Sequence, residues 1–356
     1  MNVKIEIHNR NIEAGRERVS SWKIPEKSKK EVLLFLEELS LGKVNKGFKI
    51  SEERQLKYLD ILKKPLEFFN KLTEKLTLKD IESFEKALTS DKILSYKNKP
   101  FALETKADIR KILRIYLKWK LKDKAIPLTE WFDVRVPRKT PDYLSEQEVS
   151  KLYKGCKNAS ERFLIAVLFD SGARAEEFHN IRFEDIQLPQ GKENFVKLTL
   201  KEEYSKTNGR VISLYWKNTL EAVSDYIEER KQEGMKLNEA VFKNNYDNAR
   251  QFLSRLGEKV LNRKLHYHLF RHSSATHYAN KMNRQELCYR YGWAFSSDMP
   301  DVYISRSGME NKQLDEKMTN TELSDLQTKV VKMENMIKMM LEKGNETLEV
   351  VEKKIK

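Results

Sequence analysis

The stretch His268–Tyr303 reads HLFRHSSATHYANKMNRQELCYRYGWAFSSDMPDVY, and the rest of the chain is best understood outward from it. His268 and Arg271 stand one helical turn apart, so both project from the same face, and they are followed by an indole at Trp293 and a phenol at Tyr303. Each residue type has a task if the substrate is a phosphodiester. A guanidinium is planar, permanently charged and matches two non-bridging phosphate oxygens, which fits Arg271 to clamp a phosphate and stabilise the extra charge of its transition state. The imidazole of His268 can donate to the same phosphate or move a proton near neutral pH, whereas the indole of Trp293 can only donate. A phenol becomes an effective nucleophile when cations surround it and neighbours help remove its proton, which makes Tyr303 the candidate covalent catalyst. His and Arg at this spacing also occur by chance in many helices, so the assignment needs a second cluster.

That cluster begins at Phe163 and reads FLIAVLFDSGARAEEFHNIRFEDIQL. An apolar helix runs into a Ser-Gly turn, a new helix opens at Arg174, and Glu177 lies one turn on, placed to hold Arg174 near a helix start. Further along, VKLTL and RVISLY alternate like two strands, and SKTNG between them carries Asn-Gly, the strongest short hairpin signal. The spacing predicts a hairpin with Lys206 at its turn, reaching outward.

With both clusters in view, the chain resembles the tyrosine site-specific recombinases, the family of lambda integrase, Cre and Xer. SGARAEEF with EDI is similar to the family's first-arginine motif, HLFRHSSATH to its HxxRH motif, and GW followed by Tyr303 to its GH-or-GW motif with a tyrosine about ten residues on. The order and spacing are the specific part. The resemblance implies Arg174 and Arg271 as a phosphate clamp, His268 as acid/base helper, Trp293 as hydrogen-bond donor and Tyr303 as nucleophile. It implies Lys206 as the general acid that protonates the leaving 5′-oxygen, with Lys201 on the preceding strand the alternative. Glu177 and His272 are supporting residues. Trp293 fills the position of the family's second histidine, a replacement that removes proton transfer there. SDMPDVYISRSG, residues 297–308, most resembles archaeal and archaeal-virus integrases.

Composition agrees with a polyanionic partner. The chain has 356 residues, 34% of them charged, and a formal net charge of +14. Double-stranded DNA is the economical choice, although basicity alone is shared by ribosome-binding and membrane-surface proteins. Cys156 and Cys288 are the 2 cysteines, too few for a metal cluster, and no disulfide is expected. The N-terminal MNVKIEIHNRN lacks an apolar signal region, and FLIAVLF is far too short to span a bilayer, so the expectation is a soluble, intracellular, DNA-associated protein with no membrane contact.

The chain divides by pattern into five parts. Residues 1–28 read as a charged N-terminal arm that starts like a strand. Residues 29–122 show helical periodicity in EVLLFLEEL, SEERQLKYLDILKKPLEFFNKL, TLKDIESFEKAL and ETKADIRKILRIYLKWKL, with Ser51 and Thr77 as N-caps. This predicts a compact helical domain, which resembles the family's core-binding domain and on which Lys106, Arg110, Arg114 and Lys118 form a basic stripe that could neutralise phosphates. Residues 123–143 carry prolines and read as a linker with Arg135, Arg138 and Lys139 available to DNA. Residues 144–315, opened by a Ser145–Glu148 capping box, form the catalytic domain, where Arg250, Arg255 and Lys259 are further DNA candidates. In the tail, 316–356, Leu323, Leu326, Val330, Met333, Ile337 and Met340 form a heptad seam that predicts either a coiled coil or a docked amphipathic helix.

The fold class expected is mostly α with a small β-hairpin or sheet, an α+β catalytic domain in a two-domain C-shaped clamp with a C-terminal helical tail. The activity implied is site-specific cutting and rejoining of duplex DNA through a 3′-phosphotyrosyl intermediate, needing no metal or other cofactor and acting as a homo-tetramer on synapsed sites. Integration or excision of a mobile element is ranked above resolution of chromosome dimers, a type IB topoisomerase activity, and a catalytically inactive DNA-binding protein.

Overall fold

The computed structural model describes residues 4–7, 11–137, 141–306, 330 and 333. It forms two compact units, one from residues 8–139 and one from residues 1–7 with 140–356. Among the described residues no helix is long and apolar enough to cross a membrane. Apart from Val330 and Met333, the tail with its expected seam lies outside the described residues.

The first unit is helical: α1 Ile12–Glu17, α2 Glu26–Ser40, α3 Glu52–Phe69, α4 Leu78–Thr89, α5 Leu103–Leu121 and α6 Ile126–Thr129. The apolar residues that recur at three-to-four spacing turn inward together. Phe35 and Leu36 of α2, Leu59 and Leu62 of α3, Ile81 and Phe84 of α4, and Leu113 and Tyr116 of α5 are all buried in one core. Thr77 caps α4 in a reciprocal capping box with Asp80, while Ser51 occupies the N-cap of α3 without a side-chain hydrogen bond.

Two segments depart from the sequence reading. Ile12, Val19, Trp22 and Ile24, expected in a charged arm, are buried in this core, as are Ala125, Leu128 and Phe132, expected in the linker. Their apolar residues are spaced too irregularly to register as a helix face, yet each finds a partner in the folded unit. The basic residues of α5 have partners within the unit. Lys106 is buried and paired with Asp91 at 2.8 Å, and the Arg110 Nε lies 3.0 Å from both oxygens of Glu85. Arg114 donates to the backbone carbonyls of Thr129 and Phe132 at 3.2 and 2.9 Å. These three cations fasten α5 to its neighbours, and only Lys118 of the four is exposed.

The second unit contains α7 Glu146–Lys154, α8 Ala159–Ser171, α9 Ala175–His179, α10 Thr219–Gln232, α11 Tyr246–Leu261, α12 Tyr267–Ala279, α13 Arg284–Tyr291 and α14 Met299–Arg306. A three-stranded antiparallel sheet, in the order β1 Ile186–Gln187, β2 Val196–Leu200, β3 Arg210–Leu214, lies among them. The architecture is therefore mostly helical with a small sheet. Every residue of α8 from Phe163 to Ser171 is buried, as expected of a helix that is apolar all round. The Ser145–Glu148 capping box opens α7 as read. At the N-terminus, the Ile5 N–H donates to Asn180 Oδ1 at 2.7 Å and Asn180 Nδ2 donates back to the Ile5 carbonyl at 2.9 Å, so this short segment docks behind α9.

The β2–β3 connection differs from the tight hairpin expected. The register pairs Leu200 with Arg210, which leaves Lys201–Gly209 as the connecting loop, with a 3₁₀ turn at Glu202–Tyr204 inside it. Asn208 and Gly209 therefore do not form a two-residue turn. Burial decides the register: Val196, Leu198 and Leu200 face the core from one strand and Ile212 and Leu214 from the other, and Tyr204 from the loop is buried with its hydroxyl 3.0 Å from Asp185.

Candidate active site

Three loops and three helices bring the site together. The α8 helix ends at Gly172, whose φ of +57° is left-handed; an added Cβ there would sit 2.5 Å from Tyr291. The Arg271 Nη1 donates to the Gly172 carbonyl at 2.8 Å and its Nη2 to the Tyr291 carbonyl at 2.6 Å, so two chain reversals hold one guanidinium. Burial, and next the charge of Arg174, bring the Arg271 pKa down to about 10, which still leaves it cationic at neutral pH.

Arg174 caps α9 with Glu177 as the sequence predicts. The Glu177 Oε2 accepts from the Arg174 backbone N–H at 2.9 Å and Oε1 from its Nη1 at 2.9 Å. Glu177 also binds Arg210, with Nη1 3.2 Å from Oε1 and Nη2 3.0 Å from Oε2, and accepts from the Ser205 hydroxyl at 2.6 Å. Burial alone would raise the Glu177 pKa, but Arg210, Ser205 and the Arg174 backbone bring it down to about 2. The carboxylate is the fixed anion of a cation-rich site.

The loop carrying Lys206 is tied to this anion on both sides. Ser205 bonds Glu177, and Thr207 accepts from Arg174 Nη1 at 3.3 Å. Lys206 itself is exposed. Lys201 is engaged elsewhere: its Nζ contacts Glu184 and lies 3.0 Å from Asp185 Oδ1, and although burial works the other way, these two carboxylates raise its pKa.

The third part of the site is a stack. The Arg271 guanidinium lies 5.4 Å from the Tyr291 ring centroid and 5.5 Å from that of Trp293. Trp293 stacks in turn on Tyr303, with centroids 5.4 Å apart and planes 6° apart. Tyr303, on α14, is only 1% exposed, and its hydroxyl lies 2.6 Å from His272 Nδ1. His268 meets the His272 ring edge-to-face at 4.3 Å; partial burial of its ring, then Arg271, lowers its pKa.

Arg271, Trp293, Tyr303, His272 and His268 are thus linked by contacts, Arg174 and Glu177 form a second set whose charges act on Arg271, and Lys206 lies between two residues bonded to that second set. The remaining DNA candidates are dispersed. Arg135 is exposed and paired with Asp133 at 2.9 Å, Arg250 is paired with Asp247 at 3.7 Å, and Arg255 and Lys259 are exposed. Arg138 and Lys139 lie outside the described residues.

Sequence reading passed over several residues that build the site. Arg210 was visible in principle, because alternation along β3 puts it on the buried face with Ile212 and Leu214. The buried pair Asp170–Arg290, 3.1 Å apart, braces the ends of α8 and α13 and gave no local signal. Cys156 and Cys288 are free thiols, and among the described residues no three His, Cys, Asp or Glu side chains gather as a metal-binding group.

Residues 142–307 match the model of the phage integrase family. The chain is 29% identical over 142 residues to the tyrosine recombinase XerA of Saccharolobus solfataricus, covering 40% of this chain and 44% of that protein, so the match spans less than half the length of the relative. Two solved structures share the fold. A lambda integrase dimer bound to a COC′ core site matches with a TM-score of 0.58 at 14% identity, over 85% of this chain and 83% of that one. The XerH site-specific recombinase bound to a palindromic difH substrate matches with a TM-score of 0.53 at 19% identity, over 89% and 99%. Residues 142–307 are thus similar to the phage integrase family, and the fold is the one these solved structures share.

Proposed function

We propose that this protein is a site-specific DNA recombinase that cuts and rejoins duplex DNA through a covalent 3′-phosphotyrosyl intermediate, integrating or excising a mobile element. The observation that carries the reading is the stack in which Arg271 lies 5.5 Å from the Trp293 ring and Trp293 lies 5.4 Å from Tyr303. It brings the anion-binding cation and the phenol into one layered arrangement.

In the reaction, Arg174 and Arg271 hold the scissile phosphate and offset its growing charge, with Trp293 and His268 donating hydrogen bonds. The Tyr303 oxygen bonds to phosphorus, the bond to the 5′-oxygen breaks, and Lys206 protonates that oxygen. A partner strand's 5′-hydroxyl then attacks the phosphotyrosine and frees the phenol. The energy of the phosphodiester is kept in the covalent link, so rejoining needs no nucleotide.

The partner is double-stranded DNA carrying specific sites, engaged by a homo-tetramer, and the protein acts inside the cell that holds that DNA. Lys118, Arg135, Arg250 and Arg255 are exposed and are proposed as phosphate contacts that make affinity salt-dependent. An Xer-like recombinase is the second reading, with which the 29% identity to the tyrosine recombinase XerA is compatible.

The test is incubation in EDTA with nicked duplexes bearing candidate sites. An SDS-resistant protein–DNA adduct, and product formation that requires two sites, are expected. Adducts with relaxation of single circles and no two-site dependence would mark a topoisomerase, and tight binding without any adduct an inactive DNA-binding protein.

A further inference from the structure

We infer that His272, rather than His268, positions the Tyr303 hydroxyl and accepts its proton as the tyrosine attacks, an inference that rests on the recombinase reading above. The Tyr303 oxygen lies 2.6 Å from His272 Nδ1. In the arrangement we infer, the phenol O–H is the donor and the imidazole nitrogen that faces it the acceptor. This sets the tautomer: Nδ1 accepts and the ring proton sits on Nε2.

Burial supplies the second argument. Tyr303 is 1% exposed and one face of its ring is covered by Trp293, so in this arrangement bulk water is not positioned to take the phenolic proton. A base that touches the hydroxyl has to do so. His272 touches it, whereas the contact of His268 is with the His272 ring, at 4.3 Å between centroids.

Helix geometry supplies the third. His272 directly follows Arg271 on α12, about 100° further round the helix, so the two neighbours serve different groups. Arg271 turns to the carbonyls of Gly172 and Tyr291, and His272 to α14. His268, four positions before His272, shares its face and supports it.

The step balances. As the Tyr303 oxygen bonds to phosphorus, its proton passes to His272 Nδ1, while the departing 5′-oxygen receives a separate proton from Lys206. In the second step the incoming 5′-hydroxyl gives its proton to Lys206 as its oxygen bonds to phosphorus, and the displaced phenolate takes its proton back from His272.

The experiment is single-turnover cleavage by the full chain on a nicked duplex, comparing the natural phosphodiester with one bearing sulfur at the bridging 5′ position. A thiolate leaves without a proton, so the sulfur substrate removes the need for an acid but not for a base. His272→Ala is expected to cleave at least roughly 100-fold more slowly on both substrates, the low end of typical general-base contributions, and to regain rate as free imidazole is added. Lys206→Ala is expected to be slow on the phosphodiester alone. His272→Asn, which keeps a small polar group if Ala disturbs folding, is expected to be as slow as Ala.

Full activity of His272→Asn, or a His272→Ala defect that disappears on the sulfur substrate, would overturn the assignment. Nuclear magnetic resonance of the DNA-free chain separates this from failure of the recombinase reading. A His272 ring protonated at Nε2, with its signals displaced by Tyr303→Phe, upholds the contact even if no DNA is cut; a ring protonated at Nδ1 overturns it.

Discussion

Arg210 and Glu177 form a two-pronged ion pair, Nη1 to Oε1 at 3.2 Å and Nη2 to Oε2 at 3.0 Å, with side-chain exposures of 2% and 1%. The same carboxylate holds Arg174 and Ser205, so one buried anion fixes Arg174 and the loop that carries Lys206. Removing it leaves Arg210 buried without its counter-charge. Glu177→Ala is expected to lose roughly 3–5 kcal/mol of stability, the usual result of breaking a buried pair from one side. Urea unfolding at constant m-value measures this, and a midpoint equal to the parent's would contradict it.

Gly292 is the next point of leverage. Its φ is +60°, and a Cβ there would lie 2.5 Å from Thr207 Oγ1 and 3.0 Å from Arg210 Nη1. Gly292→Ala therefore strains the backbone, at a cost of about 1 kcal/mol or more, and pushes on the residue beside Lys206. Covalent adduct formation is expected to slow far more than DNA binding weakens. Parallel measurement of adduct rate and equilibrium DNA affinity distinguishes this from general misfolding, in which both would fall together.

The two lysines of the loop separate by their partners. Lys201 is held by Glu184 and Asp185, which suits a structural ion pair. Lys201→Ala is expected to cleave at close to the parental rate and to lose no more than about 1 kcal/mol of stability. Lys206→Ala is expected to lose roughly 100- to 10,000-fold in cleavage rate, the range for a general acid. Equal rates for the two variants would remove Lys206 from the mechanism.

A pH effect follows from His179, which is buried with Nε2 2.7 Å from the Tyr267 hydroxyl; burial lowers its pKa to about 4. An unfolded histidine titrates near pH 6.5, so between pH 6.5 and 4 the unfolded chain binds a proton that the folded one does not. Stability from this residue is full above pH 6.5 and declines as pH falls toward 4, by on the order of 3 kcal/mol over the window. Glu177, with its depressed pKa of about 2, loses its contribution lower, as pH falls from 4.5 toward 2. Urea midpoints at pH 7 and 4.5 are expected to differ less for His179→Gln than for the parent; an equal difference would show that His179 stays neutral in neither state selectively.

What the sequence disclosed follows the range of the interactions. Arg174 with Glu177, and Ser145 with Glu148, are local pairs within one helical turn, and the structure contains both as read. The helices and β2–β3 strands were legible because burial repeats at fixed periods along them. The buried partners Arg210–Glu177 and Arg290–Asp170 join residues 33 and 120 positions apart, which no local pattern records. The partners of the α5 stripe were hidden for the same reason. Lys106 and Arg110 stand at i, i+4 whether they face water or carboxylates, and Asp91 and Glu85 come from outside α5. In the β2–β3 loop, the local preference of Asn-Gly yielded to a register set by burying Val196, Leu198, Ile212 and Leu214.

The most direct test of the central claim is to trap the protein on a nicked duplex in EDTA, digest the adduct with protease and nuclease, and locate the nucleotide-bearing peptide by mass spectrometry. The account predicts a 3′-phosphonucleotide on the peptide containing Tyr303, and no adduct from Tyr303→Phe, which still binds the same DNA. A nucleotide on any other residue, or an adduct formed by Tyr303→Phe, would contradict it.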